Sequence, residues 1–87
     1  MLSEKIAEKL ERVRHRVINE MRQSGEAALV MGFHEEEGEA LKESFFNPER
    51  IRKETEKAVE AVFKHGDVKL KVAYPESSFL FIVLTKK

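Results

Sequence analysis

The chain has 87 residues, 37% of them charged, and its 16 Lys and Arg residues balance 16 Asp and Glu residues. A chain of this length forms one domain, residues 1–87, and its balanced charge argues against strong non-specific binding to DNA or acidic membranes. The absence of cysteine excludes disulfides and thiolate chemistry and favours a reducing compartment, so we expect a cytoplasmic protein.

Two further properties of the composition narrow the class of protein. Heavy use of Glu, Lys and Arg with little Asn and Gln is typical of thermophilic proteins. No segment reaches the roughly 20 apolar residues that span a bilayer, and the N-terminal stretch lacks the apolar core of a signal peptide. We therefore expect no membrane association.

A long helix is predicted over residues 3–23. Ser3 is the expected N-cap, and Gly25 stands where a left-handed glycine ends a helix. The apolar residues recur at spacings of three and four and form a single stripe, which consists of Leu2, Ile6, Leu10, Val13, Val17 and Met21.

The next two elements are a strand and a short helix. The stretch EAALVMGF, residues 26–33, is too short for a helix of its own and predicts a buried strand over 27–32, which Gly32 ends or bulges. Acidic residues followed by the pair Leu41 and Phe45 predict a short helix near residues 36–46.

The clearest predicted element is a second long helix over residues 48–65. Asn47 is the expected N-cap, Pro48 occupies the first helical position, and Gly66 ends the helix. The predicted buried face consists of Ile51, Thr55, Ala58, Val59, Val62 and Phe63.

Two strands close the sequence. Residues 68–74 alternate between apolar and polar, which predicts a half-solvated strand with Val68, Leu70, Val72 and Tyr74 on one face. Pro75 is expected to begin the turn PESS. Residues 79–84 are apolar without a break, which predicts a central strand that is covered on both faces.

Together these elements predict an α+β fold with the element order α-β-α-α-β-β. It contains two long helices, one short helix and a three-stranded sheet of order 1-3-2, with the C-terminal strand in the centre. The strand over residues 68–74 is placed at an edge, where outward lysines discourage pairing with another sheet.

The residue types that carry chemistry form no convincing catalytic constellation. His34 begins the acidic stretch HEEEGE, where a metal-dependent enzyme could be sought, but a metal site needs three or four convergent ligands. His15 lies on the polar side of the first helix, His65 lies beside a helix stop, and no glycine-rich phosphate loop is present. We therefore expect a protein that is not an enzyme and that holds no metal or cofactor.

The closing strand supplies the preferred functional hypothesis. If the helices cover one of its faces, the other exposes apolar surface that monomers rarely tolerate. We expect a small interaction or adaptor protein that forms a homodimer across a two-fold axis, unless the first helix crosses to the far face and covers it. The candidate interface residues are Phe79, Leu80, Phe81, Ile82, Val83 and Leu84.

The alternative hypothesis is a nucleic-acid-binding regulator. The element order resembles that of winged helix-turn-helix domains, without a shared residue motif, and this resemblance implies that the third helix would enter the major groove. Mixed charges on both long helices are more typical of a solvated face. The residues that would contact phosphates, on helices 3–23 and 48–65, are Lys5, Lys9, Arg12, Arg16, Arg50, Lys53, Lys57 and Lys64.

Overall fold

A computed structural model of the chain describes residues 2–34, 39, 41–43, 47–64 and 67–87. The helices are α1 (Leu2–Arg12), α2 (Arg14–Ser24), α3, described at Glu39 and residues 41–43, and α4 (Pro48–Val62). The strands are β1 (Glu26–Gly32), β2 (Val68–Glu76) and β3 (Phe79–Lys86). The other residues of the predicted short helix, 36–38, 40 and 44–46, lie outside the described residues.

The three strands form one antiparallel sheet in the order β1-β3-β2. This confirms the α+β class and the predicted strand order, with the C-terminal strand in the centre. Leu80, Ile82 and Leu84 of β3 are each 0% exposed, because one face of the strand forms the middle of the hydrophobic core.

The predicted long N-terminal helix is in fact two helices, and the prediction of one helix over residues 3–23 is wrong. They meet at Val13, whose φ of −113° and ψ of 13° leave the helical region. The N–H of Val13 donates to the Leu10 carbonyl at 3.1 Å, a bond to the third residue back that tightens the turn. Helix α1 packs on α4, and α2 packs on β1. The break therefore lets the first half of the apolar stripe face α4 and the second half face β1.

The end of α2 confirms the predicted glycine stop. Gly25 has a φ of 80° and donates its N–H to the Met21 carbonyl. This left-handed conformation is one that glycine adopts without the steric cost of a Cβ atom.

Helix α4 supplies a polar group to the start of α1, and α2 supplies one to the end of α4. The carboxylate of Glu54 accepts a hydrogen bond from the Ser3 N–H at 3.0 Å, and Arg14 Nε donates to the Val62 carbonyl at 3.4 Å. Both backbone groups lie in terminal turns that lack partners within their own helix. The prediction of Ser3 as N-cap is wrong, because Ser3 lies inside α1 and its N–H is satisfied by α4.

The predicted start of α4 is confirmed, and its predicted end is not. Asn47 Oδ1 accepts a hydrogen bond from the Arg50 N–H at 3.1 Å, which confirms the predicted N-cap. The helix ends at Val62, and Phe63 follows with a φ of −112° and a ψ of 52°. The predicted extension to residue 65 is wrong, because Phe63 leaves the helix and is buried in the core. His65 and Gly66 lie outside the described residues.

Strand β2 continues through Pro75 to Glu76, so the prediction that Pro75 begins the turn is wrong. The turn residues are Ser77, which has a φ of 54°, and Ser78. In this two-residue hairpin Glu76 and Phe79 form a hydrogen-bonded pair, and such pairs alternate along the ladder. Pro75 therefore lies where its missing N–H would point away from β3, as proline requires in an edge strand.

A β-bulge at Lys71 changes which face the second half of β2 presents. Leu70 pairs with Leu84, but the next pair is Val72 with Val83, so Lys71 is an additional residue. Leu70 is buried, whereas Val72 and Tyr74 point to the opposite face of the sheet. The prediction that Leu70, Val72 and Tyr74 share a face is wrong, because the bulge shifts the alternation by one residue.

Candidate interaction surface

One face of the sheet carries the hydrophobic core. Alternate residues of every strand point to it and form a single cluster with α1, α2 and α4. The side chains between them are largely exposed on the opposite face, which no helix in the described ranges covers. We call this second surface the bare face, and its apolar residues are Ala28, Val30, Val72, Tyr74, Phe79, Phe81 and Val83.

The strand register aligns these apolar side chains in rows. Phe81 lies opposite Val30 of β1 on one side and opposite Tyr74 of β2 on the other. Side chains that face each other across a sheet have Cβ atoms about 4.5–5.5 Å apart and contact each other. The next row contains Ala28, Val83 and Val72.

The exposure of the bare face is high for such large side chains. Val30 is 64% exposed, Tyr74 52%, Phe79 51%, Phe81 41% and Val72 37%. An aromatic side chain offers ~150–250 Å², so three rings at about half exposure present on the order of 300 Å². With the valines, the patch reaches the several hundred Å² that marks a functional surface on most monomers.

Phe79 lies against the backbone at the end of β1. A Cβ atom placed on Gly32 would come 3.4 Å from Cε1 of the Phe79 ring. Gly32 ends the strand, as one of the two sequence interpretations predicted, and a Cβ atom at this position would meet the ring at ordinary van der Waals distance.

An ion pair marks the polar end of the bare face. Lys71 Nζ lies 2.6 Å from Glu26 Oε1, although the two residues belong to the two outer strands. The pair therefore crosses the central strand. The side chains are 55% and 49% exposed, so the pair contributes little to stability, but it neutralises both charges beside the apolar patch.

The structure divides the six predicted interface residues equally. Phe79, Phe81 and Val83 lie on the bare face, and the other three, Leu80, Ile82 and Leu84, lie in the core under the helices. Only the first group is therefore placed to meet another molecule.

Sequence reasoning missed Val30, Val72 and Tyr74 as members of this surface. Val30 belongs to an apolar run that predicted a buried strand, yet β1 alternates between buried and exposed residues. Tyr74 was placed with Leu70, because a bulge leaves no clear signal in the sequence. If β1 had been assumed to alternate between buried and exposed side chains, Val30 would have been predicted on the exposed face.

The predicted basic residues of the first helix are divided between α1 and α2. Lys5 and Lys9 are half-buried, whereas Arg12 and Arg16 are exposed. Lys9 Nζ lies 5.1 Å from the centre of the Phe33 ring, and Arg16 Nε lies 3.7 Å from Glu20 Oε1.

The basic residues of the second long helix are accompanied by acids. Arg50, Lys53, Lys57 and Lys64 are all exposed, and Lys64 lies beyond the end of α4. Lys57 Nζ is 3.9 Å from Glu54 Oε1. The exposed acids on the same helix are Glu49, Glu56 and Glu60.

The histidines do not assemble a site among the described residues. His15 and His34 are exposed, and nowhere in the described ranges do three His, Asp or Glu residues come together to hold a metal. His65 and the acids at 35–37 lie outside the described residues.

Comparison with known proteins gives no match to a family model, a curated protein or a solved structure. Within the described part of the chain, no helix is long and apolar enough to cross a membrane. The surfaces of the protein are therefore the basis for a functional assignment.

Proposed function

We propose that the protein is a non-enzymatic interaction module that forms a homodimer through the bare face. The observation that carries this proposal is the exposure of Phe79, Phe81 and Tyr74 on a face without a helical cover in the described residues. Burial of apolar surface at about 25 cal/mol per Å² is the main driving force for association.

The size and shape of the bare face suit sheet-on-sheet packing. Two sheets pack about 10 Å apart with their strands within about 30° of each other. A two-fold axis near Phe81, in the central strand, would stack the apolar rows of both copies. The apolar patch would form the centre of an interface that approaches the ~800 Å² per partner of a standard complex.

Charge favours a second copy as the partner. Glu26 and Lys71 neutralise each other at the margin of the patch, so the surface carries no single sign that would repel an identical surface. An apolar centre with a polar margin is the usual anatomy of a homodimer interface. The absence of cysteine supports a reducing compartment, and we propose the cytoplasm.

Sedimentation equilibrium over a range of concentrations tests this function. We expect a dimer for the wild type and a folded monomer for Phe81→Lys, which places a charge in the centre of the interface. Glu60→Lys, on the exposed side of α4, is the matched control and should remain dimeric. A wild type that stays monomeric at high concentration, or a dimeric Phe81→Lys, would contradict the proposal.

Nucleic-acid binding is the second candidate function. Its support is the exposure of Arg50, Lys53 and Lys57 on α4, while the acids between them oppose it. A fluorescence titration with duplex DNA at low and moderate salt distinguishes the two functions. Specific binding would survive moderate salt, with a slope set by the number of phosphates contacted.

A further inference from the structure

The outer edge of strand β1 is unpaired within the described part of the chain. The N–H of Phe33 donates to the Ser78 carbonyl at 2.9 Å, which continues the β1–β3 register by one pair. Since hydrogen-bonded pairs alternate in an antiparallel ladder, the backbone groups of Ala28 and Val30 point away from β3. Among the described residues, nothing hydrogen-bonds to these outward groups.

The opposite edge of the sheet, along β2, is protected. Arg52 on α4 donates to the carbonyls of Leu70 at 3.2 Å and Lys71 at 3.3 Å. The bulge, Lys69 and Pro75 add further protection, because each is a feature by which natural sheets discourage an added strand. Strand β1, with the sequence EAALVMG, contains no lysine, proline or bulge, so its edge can accept another strand.

Basic side chains flank the open edge. Lys9, Arg12 and Arg16 line a groove between the helices and β1, together with the backbone region of Val30 and Gly32. Arg12 forms no ion pair with any residue that the structure describes. The Arg16–Glu20 pair is long, at 3.7 Å, and exposed, so it holds Arg16 only weakly.

We propose that this groove binds an extended acidic segment of a partner protein by β-strand addition. The segment would exchange main-chain hydrogen bonds with Ala28 and Val30, which is how added strands gain affinity. Because side chains alternate across a strand, its acidic residues would face Arg12 and Arg16, and its apolar residues would extend the bare face beside Val30.

Charge complementarity selects this occupant over the β1 strand of a second copy. Pairing of two β1 edges would bring together two copies of Arg12, which has no ion pair within the described residues, and two of Arg16, which Glu20 holds only weakly. The acid within β1, Glu26, is already paired with Lys71 and would not offset their repulsion. The inference is independent of the proposed homodimer, which uses the bare face and leaves this edge open.

Two fluorescein-labelled nine-residue peptides serve as probes. One alternates glutamate with valine, and the other carries lysine in place of every glutamate. By fluorescence anisotropy, the acidic peptide should bind at low salt and more weakly as salt rises, while the basic peptide should not bind. By NMR, the amide resonances of Ala28 and Val30 should shift most.

Charge-reversal variants test the role of the helices. The double variant R12E/R16E should lower the affinity for the acidic peptide by about tenfold or more, since it removes two attractions and adds repulsion. The matched control K53E/K57E reverses two exposed charges on α4, one of which takes part in a similarly long ion pair, from Lys57 Nζ to Glu54 Oε1 at 3.9 Å, and should bind as the wild type does. Both variants should sediment as the wild type does, which separates this test from that of the homodimer.

A backbone variant tests the strand edge itself. Val30→Pro removes an outward N–H without removing a bond to β3, and it should weaken binding while circular dichroism remains native. Equal binding of both peptides, or an affinity unchanged in R12E/R16E, would overturn the proposal. Loss of duplex DNA binding in R12E/R16E, with no binding of the acidic peptide to the wild type, would overturn it in favour of a nucleic-acid surface.

Discussion

The carboxylate of Glu54 on α4 accepts a hydrogen bond from the backbone N–H of Ser3 in the first turn of α1, over a distance of 3.0 Å. The side chain of Glu54 is only 14% exposed. A carboxylate at the N-terminus of a helix also interacts favourably with the helix dipole. Glu54 therefore stabilises α1 from outside that helix and connects it to α4.

We predict that Glu54→Ala lowers the free energy of unfolding by about 1–2 kcal/mol, because a helix N–H loses its acceptor. Urea denaturation measures this change. The matched control is Glu56→Ala, which breaks the exposed 2.9 Å ion pair with Arg52 and should cost about 0.3–0.5 kcal/mol. Equal effects of the two substitutions would remove Glu54 from the capping role.

The N-cap of α4 gives a second prediction. Asn47→Ala should destabilise the protein by about 0.5–2 kcal/mol, because the N–H of Arg50 loses the Asn47 side-chain oxygen. Asn19→Ala, at an exposed position of α2, should change stability by less than about 0.5 kcal/mol. A denaturant midpoint that does not move in Asn47→Ala would show that the cap contributes nothing.

The two faces of β3 give a third prediction. Ile82→Lys should abolish cooperative unfolding, because residue 82 is 0% exposed and a lysine there buries an unpaired charge. Phe81→Lys, one residue earlier, should keep native circular dichroism, because residue 81 is 41% exposed. If both variants unfold, the bare face is not free to meet a second copy in the way proposed here.

The fourth prediction concerns metals. Zinc should not raise the melting temperature, because the described residues contain no cluster that could hold a metal. If zinc did bind only the folded state, it would stabilise that state by mass action and raise the melting temperature. The measurement is a thermal melt with and without excess zinc. A clear rise in the wild type that is absent in His34→Ala would revive the hypothesis of a metal-dependent enzyme.

Local sequence signals predicted the boundaries that depend on local chemistry. Asn47 and Gly25 act as caps in the way their side chains and backbone conformations require. The apolar run from Phe79 to Leu84 correctly indicated the central strand, although only one of its two faces is covered within the described residues. These features are set by residues within one turn or one strand.

The features that sequence reasoning missed depend on contacts between distant parts of the chain. The break at Val13 lies where the packing partner of the N-terminal segment changes from α4 to β1. The bulge at Lys71 is defined by the pairing of β2 with β3. The bulge also decides the candidate surface, since it brings Val72 and Tyr74 to the bare face. No local pattern distinguishes such a strand from a regular one.

The central position of β3 also determines when the sheet can form. Strands β1 and β2 each pair with β3 and not with each other, so a ribosome must synthesise β3 before either has a partner. Gly32 pairs with Phe79 and Glu26 with Thr85, and closing loops of roughly 50 residues is slow compared with helix formation. During translation β1 therefore remains unpaired until β3 has been synthesised. In that interval its apolar residues are exposed to aggregation and to chaperones.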